Sequence, residues 1–437
     1  MLIDLLIHSA NQVLTLAGDA PRRGVTQCEL AIVSNGAVAI QGEKIIAVGD
    51  TLDLLALADA QTRKIDARGK IVLPGFVDAH THVVFASDRA NEFDLRLQGA
   101  TYLDIQKAGG GIMSTVRATR AASLAELVAQ SRARLDAMLA YGTTTAEVKT
   151  GYGLDTANEL KMLEAIAALD AEHALDLIPT FLGAHIVPEE FRSREDEYVR
   201  LVVEEMLPAI MQRMKDEGGR RNERSQFAIR NPQFFCDVFC DDGAFTLDQT
   251  RQILTRAKEL GFGLRVHADE FANLGGALLA AELDAASADH LMVTRRDEMR
   301  AMANANVVAV LLPGTTFGLG KTNFADGRAF IEENVPVALG SDINPGTCWC
   351  ESIPFILALA CRYEKLTPAE AIAAATINSA ASLGIGDQVG SLVSGKFADL
   401  LIANVPDYRH LAYRFGANPI ERVIKRGRIV GNHLGTE

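Results

Sequence analysis

Two histidines separated by a single residue, His80 and His82, follow an apolar segment that begins at Gly75. Alternate side chains of an extended strand face the same way, so we expect both imidazoles on one face, about 6.5–7 Å apart along the strand. Imidazoles with this spacing can share one metal ion at Zn–N distances of about 2.0–2.1 Å. Because His-x-His also occurs in ordinary loops, the pair alone indicates no more than a candidate metal site.

Other polar residues stand where later apolar segments end. The segment LRVHADE contains His267, ADH ends in His290, LGSD ends in Asp342 and FLGAH ends in His185. Five of the nine histidines therefore occupy the ends of predicted strands. Three His and one Asp that converge on one point suit zinc or another first-row divalent ion. We interpret the remaining histidines as structural or surface residues: His8, His173, His410 and His433.

Eight apolar segments alternate with helical patterns between residues 71 and 387. Amphipathic stretches such as SLAELVAQSRARLDAMLAYG fill the gaps between them. The alternation predicts a (β/α)8 TIM-like barrel, in which chemistry gathers at the carboxyl ends of the strands. A doubly wound α/β sheet is the alternative, but no G-x-G-x-x-G opens a first helix. The predicted strands are 75–85, 143–149, 175–183, 234–239, 262–268, 285–292, 306–313 and 335–341.

Residues 1–70 and 388–437 contain short alternating apolar segments interrupted by Gly and Asn. Within them, Asn35-Gly36 is a typical hairpin-turn sequence. Neither end is long enough to form a stable sheet alone. We therefore expect the two ends to pair in one small β-sandwich domain beside a barrel of residues 71–387.

The chain has 437 residues, of which 48% are hydrophobic and 23% charged, and its formal net charge is −13. This composition is globular, and the acidic balance argues against a general nucleic-acid or anionic-membrane surface. No apolar run approaches the roughly 20 residues of a membrane helix. The first residues lack the basic start of a signal peptide and the six cysteines lie mostly far apart. We therefore expect a cytoplasmic protein with reduced thiols.

The PGFVDAHTH motif, together with the later His and Ser-Asp motifs at strand ends, resembles the metal-dependent amidohydrolase superfamily. Within it, the chain is similar to the imidazolonepropionase family in five segments: ASDRANEFDLRLQGATYLDIQKAGGGI, EVKTGYGLD, PTFLGAH, VHADEF and GSDINPGT. The similarity covers essentially the whole chain. One departure is the segment around 212–230, which is longer and more basic than this family's pattern implies.

The resemblance implies a metal site on the strand ends already noted. Binuclear members of the superfamily use a carboxylated lysine on strand four, and FFCDVFCDDG contains no lysine. One divalent metal ion is therefore expected, Zn2+ or iron as Fe2+/Fe3+. Lys149, at the end of the second predicted strand, is expected to be an ion-pair partner. The implied metal ligands are His80, His82, His267 and Asp342.

The activity implied by the resemblance is hydrolysis of the cyclic amide C–N bond of 4-imidazolone-5-propanoate to N-formimidoyl-L-glutamate, in histidine degradation. A metal ion lowers the pKa of water and polarises a carbonyl. A side chain must also move a proton from water to the leaving ring nitrogen. Glu270 is placed for this role, three residues after His267. His290 and Asp342 are the other candidates, and the sequence leaves open which group takes the first proton.

The carboxylate of that substrate needs a cation in an otherwise acidic protein. Arg89, seven residues after His82, has a planar fork that can bind a carboxylate bidentately. We also expect Tyr102 to pack in a lid formed by 96–113. The resemblance implies that the further substrate contacts come from Tyr152, His185, Glu270, Asn344, Gly346 and Thr347.

Two other functions are consistent with parts of the sequence. A nucleobase-type deaminase is another mononuclear amidohydrolase. It would explain the presence of the HADE motif, which resembles deaminase signatures, but it leaves Arg89 without an obvious role. A non-catalytic scaffold should have lost metal ligands, and all four are present. We therefore expect an enzyme for a small anionic molecule, with no nucleic-acid or membrane partner, that forms a homodimer.

Overall fold

The structure is a computed structural model that describes residues 3–100, 105, 109–218 and 233–432. Tyr102, His433, part of the expected lid and most of the 212–230 segment lie outside these residues, so the roles expected for them stay predictions. In the described part of the chain, no helix combines the length and the apolar character needed to cross a membrane.

The described strands form two sheets of eight strands each, one from the terminal parts of the chain and one from its middle. In chain order the strands are β1 (Leu5–Leu14), β2 (Ile32–Gln41), β3 (Lys44–Asp50), β4 (Arg63–Asp66), β5 (Ile71–Pro74), β6 (Phe76–Asp78), β7 (Thr143–Lys149), β8 (Asp176–Ala184), β9 (Phe235–Cys240), β10 (Gly263–Ala268), β11 (Ser287–His290), β12 (Val308–Leu311), β13 (Val337–Leu339), β14 (Leu400–Ala403), β15 (Ile420–Lys425) and β16 (Arg428–Asn432).

The middle sheet is parallel, and each of its strands, from β6 to β13, pairs with the next one along the chain. Each strand overlaps one of the eight predicted segments. The two ends of the sheet approach each other, since Ala79 N lies 3.5 Å from Leu339 O and Asp342 N donates to His80 O at 3.0 Å. The predicted (β/α)8 barrel is therefore confirmed.

Helices separate the barrel strands, and several begin at a capping box. Ser123 accepts a hydrogen bond from Glu126 N, and the Glu126 carboxylate accepts one from Ser123 N, which satisfies two amides at the start of the helix. The described helices are α1 (Thr51–Leu55), α2 (Ala90–Leu97), α3 (Ile112–Ala121), α4 (Leu124–Ala140), α5 (Thr156–Glu172), α6 (Glu195–Leu201), α7 (Leu207–Gly218), α8 (Leu247–Leu260), α9 (Gly276–Glu282), α10 (Arg296–Ala305), α11 (Pro313–Gly318), α12 (Gly327–Glu332), α13 (Ile353–Tyr363), α14 (Pro368–Ala373), α15 (Ser379–Ser382) and α16 (His410–Tyr413).

The terminal sheet has the strand order β16-β15-β14-β5-β1-β2-β3, with β4 paired to β1. Because β14 pairs directly with β5, the two ends of the chain share one sheet, as predicted. The chain then enters the barrel at Gly75, where a Cβ atom would lie 2.2 Å from Thr144 Oγ1. Only glycine fits this close approach. The expected domain limits, 1–70 with 388–437 and 71–387, stay a prediction.

The predicted hairpin turn at Asn35-Gly36 is wrong. Both residues lie inside β2, and Gly36 is aligned with Ala10 on one side and with Asp50 on the other. The turn to β3 lies six residues later, at residues 42–43. Asn35 does adopt the left-handed φ of 47° that the motif favours. However, β2 continues through this residue, and Gly36 is paired on both sides, so Asn35 does not reverse the chain.

A buried ion-pair group ties the terminal sheet to the barrel. Lys425, on β15, places Nζ 2.7 Å from Asp176 Oδ2 at the start of β8 and 2.6 Å from Asp399 Oδ2 just before β14. The side chain of Lys425 is 4% exposed, and that of Asp399 is 2% exposed. Breaking a buried pair leaves a charge without compensation, which costs far more than losing a surface pair.

We expect Lys425→Met to destabilise the protein by about 3 kcal/mol, because Asp399 then keeps a buried charge without its cation. Thermal unfolding followed by circular dichroism measures this as a lower Tm. The matched control is Lys258→Met, which removes an exposed pair with Asp284. An unchanged Tm for Lys425→Met would show that the pair does not stabilise the contact.

Candidate active site

The predicted metal ligands meet at the carboxyl ends of the barrel strands. His267 lies in β10, and Asp342 follows β13. His80 and His82 follow β6, which ends at Asp78, so the expectation that both histidines lie within the first strand is wrong. They are held instead by the segment after the last barrel strand, because His82 N donates to Ile343 O at 2.9 Å and His80 O accepts from Asp342 N.

Four of the six distances between the ligand atoms of these residues are typical of one coordination sphere. His82 Nε2 lies 3.3 Å from His80 Nε2 and 3.4 Å from His267 Nε2. Asp342 Oδ1 lies 3.6 Å from His80 Nε2 and 3.5 Å from His82 Nε2. Ligands at about 2.0–2.2 Å from a tetrahedral ion are about 3.3–3.6 Å from one another. The donor set and its spacing therefore fit one first-row divalent ion.

The protonation of the histidines is also suitable for metal binding. Burial lowers the pKa of His80, His82 and His290 well below the ordinary value, so their imidazoles are neutral, which is the form that ligates metals. Burial raises the pKa of Asp342 to about 6, and the Thr315 hydroxyl, which donates to Asp342 Oδ2, opposes that shift. His290 can also form a ligand group with His80 and His267.

Two of the proposed ligand rings each have a carboxylate next to the ring nitrogen that faces away from the metal site. His80 Nδ1 lies 2.6 Å from Asp289 Oδ2, and His267 Nδ1 lies 2.9 Å from Asp237 Oδ2. Such partners fix which ring nitrogen faces the metal and how the ring is oriented. The sequence analysis did not identify these two residues. Their signal was an aspartate inside an apolar strand, in FFCDVFC and in SADH.

A cavity of about 220 Å³ opens beside the ligands. It is lined by every residue that the sequence analysis assigned to catalysis or substrate contact, and by all of the ligands except the deeper His80. The lining also contains Ile112, Ile186, Phe239 and Phe271, which the sequence analysis did not identify. The predicted site residues that line this cavity are His82, Arg89, Tyr152, His185, His267, Glu270, His290, Asp342, Asn344, Gly346 and Thr347.

Comparison with known proteins agrees with this arrangement. The sequence model of the amidohydrolase family matches residues 71–430. The imidazolonepropionase of Herpetosiphon aurantiacus is 50% identical over 98% of this chain and 97% of its own length. That of Symbiobacterium thermophilum is 50% identical over the same shares of the two chains. The chain belongs to the imidazolonepropionase family of amidohydrolases.

Solved structures with lower similarity share the fold. An adenosine deaminase from Xanthomonas campestris with bound zinc superposes with a TM-score of 0.71 at 19% identity, covering 98% of this chain and 92% of that one. The guanine deaminase of E. coli has a TM-score of 0.67 at 17% identity, covering 98% and 99%. The barrel with its terminal sheet is therefore an architecture that this imidazolonepropionase family member has in common with deaminases.

Glu270 faces the cavity from the loop after β10. It is 8% exposed, and its Oε2 lies 3.7 Å from His290 Nε2. Burial, with the nearby Asp342 charge, raises the pKa of Glu270 well above its ordinary value. The loop is held by Asp241, which accepts hydrogen bonds from the amides of Glu270, Phe271 and Ala272 at 2.8–2.9 Å. Sequence reasoning missed Asp241, although it directly follows strand β9.

Arg89 faces the same cavity from the N-cap of α2, in a fixed orientation. Its Nε and Nη2 lie 2.8 Å and 2.6 Å from Glu92 Oε2. Glu92 Oε1 in turn accepts hydrogen bonds from Gly111 N and Ser114 Oγ. A Cβ atom on Gly346 would lie 2.4 Å from Arg89 Nη1, so glycine is needed there to let the guanidinium approach. The sequence analysis did not identify Glu92.

The other predicted substrate contacts form two walls of the cavity. The rings of His82 and His185 stack with centroids 5.1 Å apart, and burial lowers the pKa of His185 to about 3. On the opposite wall, Asn344 Oδ1 accepts hydrogen bonds from the amides of Gly346 and Thr347 at 2.9 and 2.8 Å. The backbone amides of Gly346 and Thr347 are therefore used to shape the loop.

Lys149 forms ion pairs, as predicted. Its Nζ lies 2.7 Å from both Glu147 Oε1 and Asp237 Oδ2, and all three side chains are fully buried. Although burial opposes the charge, Asp237 and Glu147 raise the pKa of Lys149 above its ordinary value. It is therefore a cation in the interior of the barrel, below the ligand histidines.

Proposed function

We propose that this protein hydrolyses the ring C–N bond of 4-imidazolone-5-propanoate and releases N-formimidoyl-L-glutamate. The observation that carries the proposal is one cavity that is lined by proposed metal ligands, a buried carboxyl group and an oriented guanidinium. Each part matches one requirement of this substrate, which has a ring carbonyl, a leaving ring nitrogen and a carboxylate tail. The curated relatives carry the name of this activity.

We propose that His80, His82, His267 and Asp342 hold one divalent ion, either Zn2+ or iron. The short distances among their ligand atoms support a single position. When bound, such an ion lowers the pKa of water and polarises a carbonyl oxygen. Strand β9 has no lysine that could be carboxylated to bridge a second ion.

Glu270 is proposed to move the proton. It accepts a proton from the attacking water and gives it to the ring nitrogen as the C–N bond breaks. One feature supports this choice over Asp342: both residues line the cavity, but the Asp342 oxygens are engaged by Thr315 and by the proposed ligand histidines. His290, beside Glu270, is proposed to orient the water.

Arg89 is proposed to bind the propanoate carboxylate. The protein has a net charge of −13, so a local cation must select an anionic substrate. Glu92 holds one side of the guanidinium and leaves Nη1 beside Gly346, in the cavity wall. Arg96 lies behind the same wall and donates to Gly346 O at 3.2 Å, which adds positive charge.

The deaminase alternative is not favoured. Deaminases share the barrel at under 20% identity, which concerns the fold alone. A neutral nucleobase would bring no anionic group for Arg89 to bind in the cavity. A homodimer and a cytoplasmic location stay predictions.

The proposed activity and the metal number can be tested on one preparation. We expect loss of imidazolonepropionate, followed by ultraviolet absorbance, and about one divalent ion per chain by elemental analysis. Activity should fall on chelation and return with one equivalent of metal. Two tightly bound ions, both needed for turnover, would contradict the single site, and turnover of nucleobases alone would contradict the substrate.

Replacing Glu270 with Gln keeps the shape of the side chain but removes the proton acceptor. We expect Glu270→Gln to lower kcat by roughly 10²–10⁴-fold while the metal content stays the same. The matched control is Glu364→Gln, which changes another buried glutamate at the end of α13, away from the cavity. Normal turnover in metal-loaded Glu270→Gln would transfer the role to His290 or Asp342.

Replacing Arg89 with Met removes a charge-assisted contact of about 1.5–3 kcal/mol. We expect kcat/KM for imidazolonepropionate to fall about 10- to 150-fold, since 1.36 kcal/mol corresponds to tenfold. An analogue without the carboxylate should be turned over equally by both enzymes, because it never made this contact. Equal losses on the two compounds would show that Arg89 only supports the loop.

A further inference from the structure

A buried lysine lies at the centre of the charged groups below the metal ligands. Lys149 Nζ contacts Glu147 Oε1 and Asp237 Oδ2 at 2.7 Å and lies 3.7 Å from Asp289 Oδ2. All four side chains are 0% exposed. The proposed reaction assigns no step to Lys149 or Glu147, so the presence of this lysine behind the ligand residues needs a separate explanation.

Two of the three carboxylates that Lys149 approaches, Asp237 and Asp289, contact a proposed metal ligand. Asp237 contacts His267 twice, since Oδ1 accepts from the His267 backbone amide at 3.1 Å and Oδ2 lies 2.9 Å from Nδ1. Asp289 Oδ2 lies 2.6 Å from His80 Nδ1. The rings thereby present Nε2 to the ligand cluster.

The third carboxylate leads to the residue between the two histidines of the His-x-His motif. Glu147 Oε2 accepts from Thr81 N at 3.1 Å, and Thr81 Oγ1 donates to Glu147 O at 2.6 Å. Lys149 N donates to Thr81 O at 3.0 Å. The backbone and the side chain of Lys149 therefore both lie next to the segment that carries His80 and His82.

The charges in this group do not balance. Lys149 and Arg265 face three carboxylates, and Arg265 Nη2 lies 3.3 Å from Asp289 Oδ2. A buried ion pair gives little net stability compared with apolar packing, so such a group is weak evidence for a purely structural role. The placement of every carboxylate next to a ligand segment is better explained by control of the ligands.

We propose that Lys149 is a positioning residue for the metal site. It holds Asp237 and Asp289 in the positions from which they orient His267 and His80, so that both rings direct Nε2 to the same point. The inference rests on the metal site of the proposed function, and it concerns metal affinity and not the choice of substrate. A role in barrel stability alone would leave metal affinity unchanged.

The test compares Lys149→Met with Lys425→Met in the full-length protein. Both variants remove a buried lysine that bridges carboxylates, but Lys425 lies between β8 and the terminal sheet. Zinc affinity is measured by competition with a chromophoric chelator, and stability by the Tm of the metal-free protein. We expect Lys149→Met to weaken zinc binding ~10–100-fold, the usual cost of disturbing a ligand's outer partner. Lys425→Met should lower the Tm without changing zinc affinity.

The aspartates provide a second measurement that does not depend on Lys149→Met folding. Asp237→Asn and Asp289→Asn should each weaken zinc binding, since a neutral amide oxygen is a weaker acceptor for the histidine ring N–H than a carboxylate is. When either change is combined with Lys149→Met, the loss should be smaller than the product of the single losses, because the residues act together. Losses that multiply independently, or zinc affinity unchanged in the aspartate variants, would overturn the proposal.

Failure of this inference can be distinguished from failure of the proposed function. If the unaltered protein binds no zinc or iron, the metal site itself is wrong. If it binds the metal and all Lys149 and aspartate variants bind equally well, the metal site stands and only the role of Lys149 is overturned. The visible spectrum of the cobalt-loaded proteins gives a further readout, since a changed ligand geometry alters it without any substrate present.

Discussion

The proposed metal site needs three imidazoles and one carboxylate within a few ångströms of one another. The barrel meets this requirement through the ends of its strands. The four side chains come from the ends of β6, β10 and β13, which are far apart along the chain. A closed parallel barrel brings the carboxyl ends of its first, fifth and eighth strands to one mouth. The hydrogen bonds of His80 and His82 with the segment after β13 close the barrel at the level of the ligands.

Bringing ligands together in a dry interior explains the buried charges. Neutral imidazoles need a partner for the ring nitrogen that does not face the metal, and carboxylates are the strongest acceptors available. Carboxylates inside a barrel need cations, which Lys149 and Arg265 provide. We therefore attribute the charged interior to the proposed metal site, since buried ion pairs add little net stability by themselves.

Unlike the barrel interior, where carboxylates outnumber cations, one outer wall of the cavity is positively charged. The chain is acidic as a whole, yet Arg89 and Arg96 lie together at one wall. Glu92 neutralises part of this charge and at the same time fixes the guanidinium of Arg89. A rigid cation loses little conformational freedom when it binds an anion, which favours selectivity for a carboxylate at one end of the cavity.

The alternation of apolar and amphipathic segments predicted all eight barrel strands, since strand and helix periodicity are local properties. Local patterns also predicted a hairpin at Asn35-Gly36, where pairing with the neighbouring strands keeps both residues inside β2. They overestimated the first strand, because β6 ends at Asp78 and the following segment is held by contacts with residues beyond position 339. Both errors, in the hairpin and in the length of the first strand, arose where pairing with distant parts of the chain determined the local structure.

The sequence by itself determined which side chains could act as metal ligands, as proton carrier and as carboxylate partner, because their types and their positions at strand ends are written in short motifs. The tertiary structure decided which carboxylates contact the proposed ligand histidines, and which cation contacts those carboxylates. Asp289 contacts His80 across 209 positions of the chain, and Lys149 contacts Asp237 across 88. Short motifs contain no information about such pairs, since only the closure of the barrel brings the two strands together.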